Sequence, residues 1–134
     1  VIWLDIDHFK SINDNLIHQA GDQILCRVAL WLKAGVRPYD HPGRWGGDEF
    51  VVLLSPCDPE TLHRIALRIR ESVEQESRKT GTQVTVSVGG YFALPGDSTD
   101  TILRQADRAL YQAKDEGRNR VCITTSEDPE INPA

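Results

Sequence analysis

Apolar residues fall along this chain in short blocks whose period changes from one segment to the next, and those changes predict the elements. The opening Val1-Ile2-Trp3-Leu4 is an unbroken apolar run of the kind that makes a short buried strand. Helix is expected after it, broken around Asn15 to Gly21. From Asp22 to Ala34 the residues Ile24, Leu25, Val28, Trp31 and Leu32 recur at helical spacing, and Gly35 serves as the stop. Arg44-Trp45, then Gly46-Gly47, then Glu49 to Leu54 predict strand, tight turn and strand, with the glycines supplying positive φ. Pro59 marks another helix start, carried on by Leu62, Ile65, Ala66, Ile69 and Val73. Gln83 to Val88 is alternating and β-branched and predicts a strand that Gly89-Gly90 ends or bends. Thr99 to Lys114 predicts a helix through Ile102, Leu103, Ala106, Leu110 and Ala113, closed near Gly117, and Val121 to Ile123 a last strand.

The resulting order is β-α-β-β-α-β with a further α-β at the end. That is a split βαβ plan of the α+β class, with a mostly antiparallel central sheet flanked by helices. One domain is expected over residues 1–125. The acidic, proline-containing stretch 126–134 is expected to be a flexible tail or linker. Fold alone assigns no chemistry.

Composition narrows the classes. A net charge of -5 argues against a phosphate-tracking nucleic-acid binder, which draws affinity from many Lys and Arg contacts. The same charge is compatible with a nucleotide enzyme, because bound metal ions offset carboxylates and phosphates locally. Apolar runs such as Phe50 to Leu54 are far too short to span a membrane, so no membrane contact is expected of this domain. The three cysteines, Cys26, Cys57 and Cys122, are odd in number and widely spaced, which suits reduced thiols and a cytoplasmic location. A chain without methionine that opens on Val1 is expected to be a piece of a longer protein.

Two acidic pairs carry the candidate chemistry. Asp5 and Asp7 stand where the first strand gives way to helix, and strand alternation puts them on one side. Taken singly, Asp7 reads as a helix cap and Asp5 as a solvated strand end. Asp48-Glu49 follows the glycine turn, where acids are usually plain surface. A split βαβ fold changes that balance, since the hairpin tip and the end of the first strand can lie side by side. Carboxylates converging from two segments repel unless a cation sits among them, and oxygen ligands of this kind suit Mg²⁺ or Mn²⁺. Two glycines beside them let a nucleotide approach the backbone, so metal-assisted phosphoryl or nucleotidyl transfer is expected.

Gly46-Gly47-Asp48-Glu49-Phe50 spells the signature of the GGDEF family of diguanylate cyclases, and the resemblance extends beyond it. Asp5-Ile6-Asp7-His8-Phe9-Lys10, Ile12-Asn13-Asp14, His18 and Gly21-Asp22 resemble the family's first block. Val84 to Gly89 resembles its later strand, and Ala106-Asp107, Ala109 to Tyr111, Ala113-Lys114 and Gly117-Arg118-Asn119 its closing helix. The resemblance runs from residue 1 to about 123. The departures are Ile17 where a glycine is usual before His18, Gly90-Tyr91 as a less typical continuation after Gly89, and the family's N-terminal helix with its D-x-L-T-x-L turn, which is not seen in this sequence.

The resemblance implies an enzyme that condenses two GTP into cyclic di-GMP and two pyrophosphates with Mg²⁺ or Mn²⁺, two ions per site. It implies Asp5, Asp48, Glu49 and the Ile6 carbonyl as metal ligands, with Glu49 also deprotonating the attacking ribose 3′-hydroxyl. Asn13 and Asp22 would read the guanine edge. Lys114 and Arg118 would contact phosphates, as would backbone N–H groups near Phe9 and Lys10, with Gly46 and Gly47 lining the substrate. Arg37-Pro38-Tyr39-Asp40 resembles the family's R-x-x-D inhibitory product site, to which Arg68 would add a second arginine. A homodimer is implied for catalysis, and fusion to a sensor or regulatory domain. Two other readings are a non-catalytic receptor of GTP or cyclic di-GMP, and an unrelated nucleotidyl transferase.

Overall fold

The first strand, β1 (Ile2–Ile6), is buried along its whole length and lies at the centre of a five-stranded sheet. A computed structural model describes residues 1–11, 18–81 and 83–125 of the chain. The other elements are helix α1 (His18–Gly35), β2 (His41–Gly46), β3 (Glu49–Leu53), α2 (Pro59–Lys79), β4 (Val86–Tyr91), α3 (Thr99–Asp115) and β5 (Val121–Thr124). The strand order is β2-β3-β1-β4-β5, antiparallel throughout except for the parallel pair β4 and β5. This is the α+β architecture that the element order predicts.

Alternation along β1 divides the core in two. Ile2, Leu4 and Ile6 join Phe50, Val52, Val86 and Val88 beneath α1 and α2, where Val28, Leu32, Leu62, Ile65, Ile69 and Val73 are fully buried. Trp3 goes to the other face and packs with Tyr91, Ala106 and Leu110 of α3. Two of the helices, α2 and α3, carry side-chain caps at their N-termini. Asp58 accepts from the Thr61 N–H at 2.7 Å ahead of Pro59, and Ser98 accepts from the Thr101 N–H at 3.1 Å.

Two boundaries differ from expectation. α1 begins at His18, so Gly21 lies inside the helix and Asp22 falls in its second turn. Gly89 and Gly90 do not end β4; they are paired within it, opposite Trp3 and Ile2. The reason is packing. A Cβ on Gly89 would stand 2.1 Å from the Leu110 nitrogen, so only glycine lets α3 come this close; one on Gly90 would meet the tip of the Ile123 side chain at 2.6 Å. The break expected around Asn15 to Gly21 does not extend into residues 18–21, which are helical; its earlier part, Asn13 and the 126–134 tail lie outside the described residues. All three cysteines are free thiols. Among the described residues no helix is long and apolar enough to cross a membrane.

Candidate active site

β1 and β3 run antiparallel with Asp5 directly opposite Glu49. This register carries the hairpin tip to the end of the central strand, and the Ile6 N–H donates to the Asp48 carbonyl at 3.2 Å. Gly47 has a φ of 54°, a left-handed value that suits glycine at the turn. Arg44 pins the tip by donating from Nε and Nη2 to the Gly47 carbonyl at 3.0 and 2.6 Å. Space beside Gly46 and Gly47 is open, since a Cβ added at either would touch nothing within 4 Å.

Asp5 is 9% exposed and is therefore no solvated strand end. Burial pushes its carboxyl up to about 6; the neighbouring Asp48 carboxyl adds to the rise, and Lys114 opposes it. Lys114 reaches from the last turn of α3 to pair with Asp5 Oδ2. The other oxygen, Oδ1, is buried without a hydrogen-bond partner. A buried carboxylate oxygen left open beside a second carboxylate is a site short of positive charge. The donors available there are oxygens, the chemistry of a hard divalent cation, so these residues fit Mg²⁺ or Mn²⁺. Among the described residues no three carboxylate, imidazole or thiol groups form a ready-made cluster.

Asp7 has a different task from the helix cap that its position suggests. Its carboxylate accepts from the Thr85 hydroxyl at 2.7 Å, the Ser87 hydroxyl at 2.6 Å and the Asn119 N–H at 3.0 Å. Those bonds tie the end of β1 to β4 and to the turn after α3. Alternation is kept, because Asp5 and Asp7 both meet groups on the α3 side. Thr85 and Ser87 gave no signal of this role in sequence beyond their place in a strand that resembles the family's.

The remaining expected residues divide by location. Phe9 is half-buried against the core and Lys10 is exposed, both in a helical start over residues 9–11. Asp22 is exposed on α1. Arg118 is exposed one turn beyond Lys114, with a φ of 65°. Arg37, Asp40 and Arg68 form a second group. Arg37 donates from Nε and Nη2 to Asp40 at 2.9 and 2.8 Å and from Nη2 to the Pro56 carbonyl at 2.7 Å, and its guanidinium lies 4.6 Å from the Tyr39 ring centre. Arg68 Nε donates to the Gly35 carbonyl at 2.8 Å, which brings it to the same end of α1.

The family model described as diguanylate cyclase, GGDEF domain, matches residues 1–120. Diguanylate cyclase A of Treponema denticola is 38% identical over 135 residues, covering 96% of this chain and 36% of that protein. The response regulator PleD of Caulobacter vibrioides is 40% identical over 126 residues, covering 90% of this chain and 28% of that protein. Among solved structures, the GGDEF domain of DgcB from Caulobacter crescentus in complex with c-di-GMP is 35% identical with a TM-score of 0.83, over 91% of this chain and 75% of that one. The active GGEEF domain of a diguanylate cyclase from Vibrio cholerae is 34% identical with a TM-score of 0.83, over 91% and 80%. The chain spans about a third of the length of the curated relatives it matches.

Proposed function

Because this chain belongs to the GGDEF family of diguanylate cyclase domains, we propose that it condenses two GTP into cyclic di-GMP and two pyrophosphates. The observation that carries this reading is the β1–β3 register, which sets Asp5 against Glu49 with Asp48 beside them and leaves Asp5 Oδ1 unpartnered. Asp5, Asp48, Glu49 and the Ile6 carbonyl would hold Mg²⁺ or Mn²⁺, two ions per site, which when bound offset phosphate charge and polarise the α-phosphate.

The chain's own groups do the rest. Glu49 accepts the proton of the attacking ribose 3′-hydroxyl. Asp22 accepts from guanine N1 and N2 hydrogens, and Asn13 serves the base's remaining polar groups. Lys114 and Arg118, from the end of α3, balance phosphate charge together with N–H groups near Phe9 and Lys10. The open backbone at Gly46 and Gly47 lets the nucleotide lie against the hairpin. One domain holds one GTP, so closing a symmetric ring takes two domains facing each other, each 3′-hydroxyl aimed at the other's α-phosphate.

Arg37, Asp40 and Arg68 form the product site in this reading, apart from the carboxylates and joined to them through β2. The domain, residues 1–125 with 126–134 as linker, would act in the cytoplasm beneath a fused sensor or regulatory domain. The deciding experiment is to supply GTP and Mg²⁺ to a dimeric form of the protein and measure cyclic di-GMP by chromatography. Binding of GTP or cyclic di-GMP without turnover would instead identify a receptor domain.

A further inference from the structure

The turn that leaves α3 is held from two directions. Gly117, Arg118 and Asn119 have φ values of 125°, 65° and 46°. Two consecutive non-glycine residues with left-handed backbone persist only where surrounding bonds fix them, and asparagine tolerates that region better than most. On one side, the Asn119 N–H donates to Asp7 Oδ2 at 3.0 Å, and Asp7 is itself held by Thr85 and Ser87. On the other side, the Asn119 side chain crosses to α2. Its Nδ2 donates to Glu74 Oε2 at 2.6 Å and its Oδ1 accepts from Arg70 Nη1 at 2.9 Å. Arg70 and Glu74 close the triangle at 3.4 Å. A carboxylate on one flank and a guanidinium on the other allow one amide orientation only.

We propose that Asn119 is a positioning residue that aims Arg118 at the substrate phosphates, with Glu74 of α2 as its anchor. The proposal rests on the reading of Arg118 as a phosphate contact. Arg118 lies between Gly117 and Asn119 and its side chain is exposed, so nothing but the backbone of this turn determines where the side chain starts. With the turn fixed, its ordering is complete before GTP arrives. With Asn119 unclamped, GTP must order the turn as it binds and affinity falls. The carboxylates on β1 and β3 are untouched, so the loss belongs to binding and leaves the chemical step in place.

The test compares GTP binding by calorimetry and steady-state kinetics for the intact protein and four variants. Asn119→Gly keeps the left-handed turn and its N–H to Asp7 but removes the clamp. Glu74→Ala removes the anchor from a different element, and Glu74→Gln keeps an oxygen that accepts from Asn119. Arg118→Ala reports on the phosphate contact. Expected is a rise of about tenfold in Kd and KM for Asn119→Gly and Glu74→Ala, with kcat within about threefold, and recovery toward wild type in Glu74→Gln. If Arg118→Ala weakens GTP but Asn119→Gly and Glu74→Ala bind it as the wild type does, the positioning role is refuted and the phosphate contact stands. If Arg118→Ala itself binds GTP normally, both fall together. Lowered melting temperature in Glu74→Ala with unchanged Kd would show a structural brace and overturn the proposal.

Discussion

Asp5 and Glu49 face each other across the β1–β3 ladder, two acids at directly opposed positions. Like charges placed directly opposite each other destabilise a strand pair. A site selected for stability alone would not keep them. Glu49→Gln and Asp48→Asn should therefore lower cyclic di-GMP formation by about 10²–10⁴-fold without lowering the melting temperature. Glu49→Gln should even raise it slightly. Wild-type-like turnover of either variant at saturating Mg²⁺ would remove these residues from the chemistry.

A second expectation concerns the fold. A Cβ on Gly89 would meet the backbone of α3, 2.1 Å from the Leu110 nitrogen and 2.7 Å from the Ala106 carbonyl, and backbone cannot swing aside as a side chain can. Gly89→Ala should cost about 3 kcal/mol or more and lower Tm by about 10 °C. Gly43, with nothing within 4 Å of the same added atom, is the control. Its alanine variant should stay within about 0.5 kcal/mol of wild type in a urea titration. Equal stabilities for the two variants would mean that α3 is not seated on Gly89.

That contrast also shows what could be read from the residues in order. Helix faces such as Leu62 to Val73 are legible because burial repeats at helical spacing, and the hairpin because Gly46-Gly47 has few other uses. Gly89-Gly90 reads as ending or bending the strand, and the first option fails because local propensity carries no record of α3, whose close approach is a tertiary fact. The site divides in the same way. Asp48 and Glu49 stand in a motif, whereas Asp7 reads as a cap. Its true partners, Thr85, Ser87 and Asn119, are at least 78 residues away in sequence.

The Arg37–Asp40 pair predicts a pH response. Burial raises the Asp40 carboxyl, but the Arg37 side-chain and backbone hydrogen bonds and its charge outweigh that, leaving it below the ordinary 3.8. A carboxyl with a depressed folded pKa stabilises fully above its unfolded value, and the contribution is lost as pH falls through the folded one. Wild type should thus lose stability steeply below about pH 4, and Asp40→Asn, weaker at neutral pH, less steeply. Parallel stability–pH curves for the two proteins would show that this pair does not contribute to acid unfolding.

The same pair bears on control. Asp40 is the residue before β2, and the β2–β3 hairpin carries Asp48 and Glu49, so a ligand gripping Arg37 and Asp40 holds the strand that leads to the acids. Arg68, bonded to Gly35 at the end of α1, adds a second fork at the same place. Two phosphates and two guanines match paired arginine forks with an aspartate to take guanine N–H groups. On this basis cyclic di-GMP should inhibit synthesis without competing with GTP, by fixing two domains where their active sites cannot meet. Arg37→Ala should abolish the inhibition but strands a buried Asp40, so the exposed Arg68→Ala is the cleaner variant and should weaken it about tenfold or more. Titrating cyclic di-GMP at several GTP concentrations separates the outcomes. Inhibition that excess GTP fully relieves, or that both variants retain at wild-type strength, would return Arg37 and Asp40 to a purely structural ion pair at the end of α1.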